Sequence, residues 1–254
     1  MSQNAPNIII RNATLEFDGN VLFNELNLTV AGGKCTCLLG PSGVGKTTLL
    51  KMIANLMTSS KDQYFRGDIY SDNHLPLSEQ ISYLAQTDLL LPWLSALDNA
   101  LLGSRLRHDG SDILLKKAKT LFQQMNLTHI ENKFPYQLSG GMRQRIALIR
   151  TLLEEKPIVL MDEPFSGLDA ITRYELQTLT ANLLKNRTVL LVTHEPLEAL
   201  RLGDEIIVLS GFPASIHTII YPKTSTPRDP SDQEIMHYQA ELFHALTQAK
   251  EEFI

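Results

Sequence analysis

Apolar and polar residues alternate along Ile8–Phe17 (IIIRNATLEF) and again along Val21–Val30 (VLFNELNLTV), and the turn-forming Asp18, Gly19 and Asn20 separate the two stretches. A third run, KCTCLLG over 34–40, is almost wholly apolar and follows Gly32 and Gly33. This pattern predicts a small antiparallel sheet leading into a buried core strand. From Thr47 the spacing becomes helical in TTLLKMIANLM, and the helix is expected to end in the polar stretch 58–62. A strand ISYLAQ is expected over 81–86. Between Asp98 and Leu127, apolar residues recur at helical intervals in LDNALLGSRL and ILLKKAKTLFQQMNL, with a loop at 108–111, so the spacing predicts a helical insertion.

The chain then alternates: helix GMRQRIALIRTLLEE, strand PIVLMDEP, helix TRYELQTLTANLLKN, strand TVLLVTHE and strand DEIIVLS. Strands alternating with helices predict an α/β fold, a mostly parallel sheet with helices on both faces. After Gly211 come several prolines and TSTPRDPSDQE, read as a loop before a last amphipathic helix, EIMHYQAELFHALTQAK. The sequence contains no internal repeat.

Composition adds exclusions rather than chemistry. The 254 residues are 43% hydrophobic and 20% charged, as in an ordinary globular protein. A net charge of −5 argues against a dedicated nucleic-acid binder, so no nucleic-acid partner is expected. Neither a basic-then-apolar leader nor a run near the ~20 apolar residues that cross a bilayer is present, so any membrane role is expected to be peripheral. Cys35 and Cys37 stand two apart on one strand, on the same face, and are expected to be small buried hydrophobes rather than a disulfide or metal site.

Gly40, Pro41, Ser42, Gly43, Val44, Gly45, Lys46 and Thr47 fit G-x-x-x-x-G-K-[ST] in full, directly after an apolar strand and before a helix. Glycines let the backbone curl until successive N–H groups point at phosphate oxygens, and the following helix, opening with Thr47 and Thr48, offers its positive end. Lys46 can reach β and γ phosphates, and the Thr47 hydroxyl can ligate a bridging Mg²⁺. The motif by itself does not separate kinases, GTPases and transport ATPases, which share the cradle.

IVLMDEP over 158–164 ends an apolar run in two acids, as when a buried parallel strand delivers them to the carboxyl edge of a sheet. Asp162 is suited to hold Mg²⁺, directly or through water, and Glu163 to polarise an attacking water as general base. Standing alone, such a pair reads equally as a solvated turn or a helix cap.

At 138–145 stands LSGGMRQR, and here the chain resembles the ABC ATPase family. Physically, Ser139, Gly140 and Gly141 at a helix start form a second anion site that one chain cannot turn on the same γ-phosphate as the first. The resemblance implies a P-loop NTPase fold binding ATP and Mg²⁺, with two subunits stacked head to tail so that Ser139, Gly140 and Gly141 of one cap the ATP held by Lys46 of the other. It further implies that Gln86 senses Mg²⁺ or the attacking water, that Asp169 in Ser166–Asp169 crosses the dimer interface, and that His194 donates to the γ-phosphate. Phe17 stands where the family carries an aromatic that stacks on adenine; as residue chemistry it reads equally as a core phenylalanine.

The same resemblance divides the chain into one ATPase domain over 1–254. Residues 8–39 form the antiparallel part and first core strand, 40–86 and 146–210 the core, 87–145 the helical subdomain with the signature, and 211–254 a tail and helix.

Methionine at the fifth signature position, Met142, together with LLPWL over 90–94 and the PRDP tail, is similar to the importers of nitrate, taurine, sulfonate and thiamine precursors. Separate membrane permease subunits are then expected to dock near Gln86 to Leu97, around an exposed Trp93 and leucines, with a separate substrate-binding protein completing the complex. The cytoplasmic face of a bacterial inner membrane is the implied location. No fused membrane half and no regulatory domain after 211 are expected. An efflux or lipoprotein-release ATPase, or a soluble non-transport relative, shares the catalytic residues; a P-loop kinase has no place for LSGGMRQR. Asn55 departs from the glycine that many relatives carry.

Overall fold

The computed structural model describes residues 5–57 and 63–253, so the polar stretch 58–62 lies outside the described residues. Strands β1 (Ile8–Phe17) and β2 (Asn20–Val30) pair antiparallel, Ile8 opposite Val30 and Phe17 opposite Asn20. Their alternation buries Ile8, Ile10, Ala13 and Leu15 on one side, as the pattern predicts. The apolar run gives β3 (Cys35–Leu39), and the helix after it is α1 (Lys46–Ile53).

That helix stops earlier than its apolar spacing predicts. Leu56 N–H donates to Lys51 O at 2.8 Å, Asn55 N–H donates to Met52 O at 3.1 Å, and Asn55 has φ 55°, which is a Schellman stop with a left-handed residue after the cap. Asn tolerates that conformation second only to glycine, which accounts physically for Asn55. Asn55→Gly is expected to stabilise the protein by about 0.5 kcal/mol, the relief of left-handed strain less the entropy that glycine adds to the unfolded chain. A urea midpoint that falls instead would contradict the strain argument.

Strand β4 (Gln63–Ser71) joins the free side of β1, giving the order β2-β1-β4. The sequence does not reveal it, because this edge strand is exposed along most of its length and carries no alternation. It corrects the 40–86 boundary: part of that stretch belongs to the antiparallel sheet.

The second sheet contains β3 with β5 (Ile81–Leu84), β6 (Ile158–Asp162), β7 (Thr188–Val192), β8 (Glu205–Ser210) and β9 (Ser215–Ile220). Its order is β5-β6-β7-β3-β8-β9, parallel except for β9, which runs antiparallel along β8. β9 lies in the tail that reads as loop, a correction arising because its pairing with β8, not an apolar period of its own, makes the strand. The short helices α2 (Leu77–Gln80) and α8 (Pro196–Leu202) are likewise additions, α8 being the crossover that a parallel β7–β8 connection demands.

The insertion is α3 (Ala96–Ala100), α4 (Leu102–Arg107) and α5 (Asp112–Gln124), followed by α6 (Gly140–Leu153), α7 (Ala170–Leu183) and, at the end, α9 (Gln233–Phe253). Alternate residues of the parallel strands feed two cores. Val159 and Met161 face the helical side, while Ile158 and Leu160 face α1 and the antiparallel sheet. Cys35 and Cys37 share a face and are free, but only Cys37 is buried; Cys35, at the strand's start, is half-exposed. Among the described residues no helix is long and apolar enough to cross a membrane.

Candidate nucleotide and hydrolysis site

The carboxyl edge of the parallel sheet gathers the predicted residues. After β3 the chain turns at Gly40, with φ 147°, so close to β8 that a Cβ there would lie 2.6 Å from Leu209 O. Gly45 has φ 107° and abuts Phe23, whose ring would lie 2.9 Å from an added Cβ. No other residue fits both conformation and space. The Val44 side chain is sunk in the core and its N–H donates to Pro41 O at 3.3 Å, whereas Ser42 and Gly43 are exposed.

Lys46 is 8% exposed, and its Nζ donates to Gly40 O at 2.7 Å and Pro41 O at 2.8 Å. Burial pushes its pKa down, opposed by the charges of Glu163 and Asp162. The Thr47 hydroxyl donates to Asp162 Oδ1 at 3.2 Å. Asp162 is 1% exposed and its Oδ2 has no hydrogen-bond partner among the described residues. Burial pushes that carboxyl's pKa up against the pull of the Thr47 hydrogen bond. A buried ammonium with only carbonyls and a buried carboxylate with an unused oxygen are each costly, and a phosphate for the first and a dication for the second relieve both. Hydroxyl and carboxylate oxygens are the donors that Mg²⁺ takes, so these residues fit the ion.

Glu163 has φ 48°, a strained value for glutamate. Its N–H donates to Val192 O at 2.9 Å, and its carbonyl accepts from Ser166 N at 3.2 Å and Ser166 Oγ at 3.0 Å, so the kink is held from both sides. The turned side chain meets two others: Gln86 Nε2 donates to Glu163 Oε2 at 3.2 Å, and His194 Nδ1 stands 3.3 Å from the same oxygen. Side chains from the ends of β5 and β7 thus converge on one carboxylate oxygen at the end of β6, next to the Thr47–Asp162 pair.

Other predicted residues are placed apart from that cluster. Ser139 N-caps α6, its Oγ accepting from Met142 N–H at 3.3 Å; Ser139 and Gly140 are exposed, and Gly141 is half-buried beside Leu168. Asp169 N-caps α7, accepting from Thr172 N–H at 3.0 Å, a bond that holds its pKa below the usual carboxylate value. Phe17 is half-buried at the end of β1 and packs on the cluster containing Phe23 and Val44, so part of its ring belongs to the core.

Sequence reading missed a cavity of about 130 Å³ walled by Glu163, His194, Ser166, Arg173, Thr193 and Glu198. A charged residue amid the apolar PLEALRL is the signal that could have found Glu198.

Comparisons with known proteins match the chain in sequence and in fold. The ABC transporter family matches residues 23–166. An uncharacterized ABC transporter ATP-binding protein of Haemophilus influenzae is 40% identical over 93% of this chain and 97% of its own. The aliphatic sulfonates import ATP-binding protein SsuB 2 of Pseudomonas syringae pv. tomato is 36% identical over 92% of this chain and 95% of its own. Among solved structures, the dimeric post-hydrolysis state of the ATP-binding cassette MJ0796 bound to ADP and Pi superposes with a TM-score of 0.74 at 28% identity, covering 86% of this chain and 100% of that one. The cradle at Gly40–Thr47, the acids ending β6 and the capped signature at Ser139 are thus set in a matched sequence and a matched fold, and the chain belongs to the ABC transporter family, as one of its ATPases.

Proposed function

We propose that the chain hydrolyses ATP in a head-to-tail dimer to drive import of a small solute of the sulfonate, taurine, nitrate or thiamine-precursor kind through separate membrane subunits. The observation that carries the hydrolytic reading is the meeting of Gln86 and His194 on Glu163 Oε2, one residue beyond the Thr47–Asp162 pair. Relatives named as aliphatic sulfonates import ATP-binding proteins, at 36% and 38% identity in Pseudomonas syringae pv. tomato and Rhodococcus jostii, support the import reading.

In this reading Lys46 exchanges the carbonyls of Gly40 and Pro41 for β and γ phosphate oxygens, and the N–H groups of Ser42 to Thr48 line the phosphates. Phe17 offers its exposed face to adenine. Thr47 and Asp162, with Gln86, would hold Mg²⁺, which would neutralise charge on the phosphates. Glu163 accepts a proton from the attacking water, and His194 donates to the γ-phosphate. The open first turn of α6 at Ser139, Gly140 and Gly141 caps the nucleotide held by the other protomer, and Asp169 crosses between them. Closure with ATP and release after hydrolysis is the mechanical output.

Permease docking is assigned to the loop between Gln86 and Leu97. Trp93 is 69% and Leu89 61% exposed, yet the loop beneath them is fixed. The buried Asn99 accepts from Leu91 N–H at 2.7 Å and donates to Leu94 O at 3.1 Å, while Arg150 donates to Asp88 O at 2.7 Å and Leu89 O at 3.0 Å. Exposed apolar side chains on a loop fixed by these bonds suit contact with a short partner helix at the cytoplasmic face of the membrane, with the substrate-binding protein on the other side. Trp93→Ala is expected to weaken binding to permease-containing vesicles at least tenfold; unchanged binding would remove Trp93 from the docking surface. The import reading itself is tested with the assembled transporter in vesicles: ATP- and Mg²⁺-dependent accumulation of an alkanesulfonate supports it, and ATP-driven expulsion sinks it.

A further inference from the structure

Glu198 is the third residue of α8, 5% exposed, four positions after His194. Its Oε2 accepts from Gln177 Nε2 of α7 at 3.1 Å, and Gln177 Oε1 accepts from Arg201 Nη1 at 2.8 Å. Arg201 also donates to Tyr174 O and Thr178 Oγ1 and lies 3.6 Å above the Tyr174 ring, so α8 is stitched to α7 through Glu198 and Arg201. At the end nearest His194 the stitching is incomplete. Glu198 Oε1 and Arg173 Nε are both buried without a hydrogen-bond partner among the described residues, and both residues wall the cavity shared with Glu163 and His194. The rest of Arg173 is committed to the loops: Nη2 donates to Leu168 O at 3.1 Å, beside Asp169, and Nη1 stands 3.7 Å from Glu195.

We propose that Glu198 is a positioning residue for hydrolysis: bonded to Gln177 and facing Arg173 across the cavity, it ties the helix after His194 to the helix that Asp169 caps, so that both side chains are held for the phosphate end together. This rests on the hydrolytic role given to Glu163 and His194 above.

A buried carboxylate with an unused oxygen costs stability that a neutral amide of the same shape would avoid. Burial pushes the Glu198 pKa up to about 7. Opposing the burial are the Thr193 hydroxyl, Gln177 and Arg173 of α7; the other groups facing it are Arg201 behind Gln177, His194, Glu195 and Glu163 of the loops, and the Cys37 thiol of β3. Above pH 7 the carboxylate attracts the Arg173 guanidinium and the lock is closed; below it the carboxyl is neutral and the lock is loose. The stability effect has the opposite sign. The folded-state pKa lies above the usual 4.5, so the ionisation penalty is absent below pH 4.5, grows from there and is full above pH 7.

The test compares Glu198→Gln and Arg173→Lys with the native chain for kcat, KM for ATP, pH profile and melting temperature. Glu198→Gln is expected to lower kcat about tenfold at pH 8 with KM within about twofold, to lose the rise in kcat between pH 6 and 8, and to melt higher than the native chain at pH 8 but not at pH 4.5. Arg173→Lys is expected to lower kcat, and the double variant to be no slower than the slower single one. Native kcat and an unchanged pH profile in Glu198→Gln, or additive effects in the double variant, overturn the proposal. Should Glu163→Gln turn over normally, the hydrolytic reading fails first; a dead Glu163→Gln beside a fully active Glu198→Gln sinks only the role of Glu198.

Discussion

Glu163→Gln is expected to lower Mg²⁺-dependent ATP turnover at least ~100-fold, the lower end of what a general base contributes, while ATP still drives the chain into a dimer that persists. The amide keeps the shape of the carboxylate and can still meet Gln86 and His194, which stand 3.2 and 3.3 Å from Oε2, so the strained turn at φ 48° has no reason to relax. What it loses is the capacity to accept a proton from water. Turnover by phosphate release and dimerisation by light scattering separate the two effects. A variant that hydrolyses at the native rate would remove Glu163 as base, and a variant that never dimerises with ATP would remove the trans-acting role of Ser139 and its glycines.

The second large effect is expected at Gly45→Ala: loss of ATP affinity of at least ~100-fold together with about 3 kcal/mol of stability. Its φ of 107° lies outside what an alanine adopts without strain, and the new methyl would stand 2.9 Å from Phe23 Cζ and 3.2 Å from Leu22 Cδ2. Strain at such a residue is worth ~1–3 kcal/mol and overpacking a tight core a similar amount. Phe23 is fully buried and cannot swing aside, so the loop must move, and the N–H groups it presents move with it. A fluorescent-nucleotide titration and a urea melt read the two losses. Native affinity in Gly45→Ala would mean that the curl of this loop is not what binds phosphate.

Much of this was legible from order along the chain. The strand–loop–helix context of Gly40–Thr47, the apolar run that ends in Asp162 and Glu163, and the helix start at Ser139 are local facts, and the structure places Thr47 against Asp162 and Gln86 and His194 against Glu163. The early stop of α1 at Asn55 was not legible, because MIANLM keeps its apolar spacing past the turn and only the left-handed backbone marks the end. Strand β4 and strand β9 escaped for one reason: each is defined by hydrogen bonds to a neighbour, β1 or β8, and exposes enough of its surface to blur the period of two.

What the sequence by itself determined, then, is the chemistry carried by contiguous residues, since glycines that permit a curl and acids that end a buried strand owe their roles to the backbone on either side of them. Only the tertiary structure decided which atoms meet. The gap of 77 residues between Gln86 and Glu163 closes to 3.2 Å because β5 and β6 are neighbours in the sheet, and Arg173 and Glu198 share a cavity because α7 and α8 pack together. Contacts of that kind depend on strand order and helix packing, which no local spacing encodes.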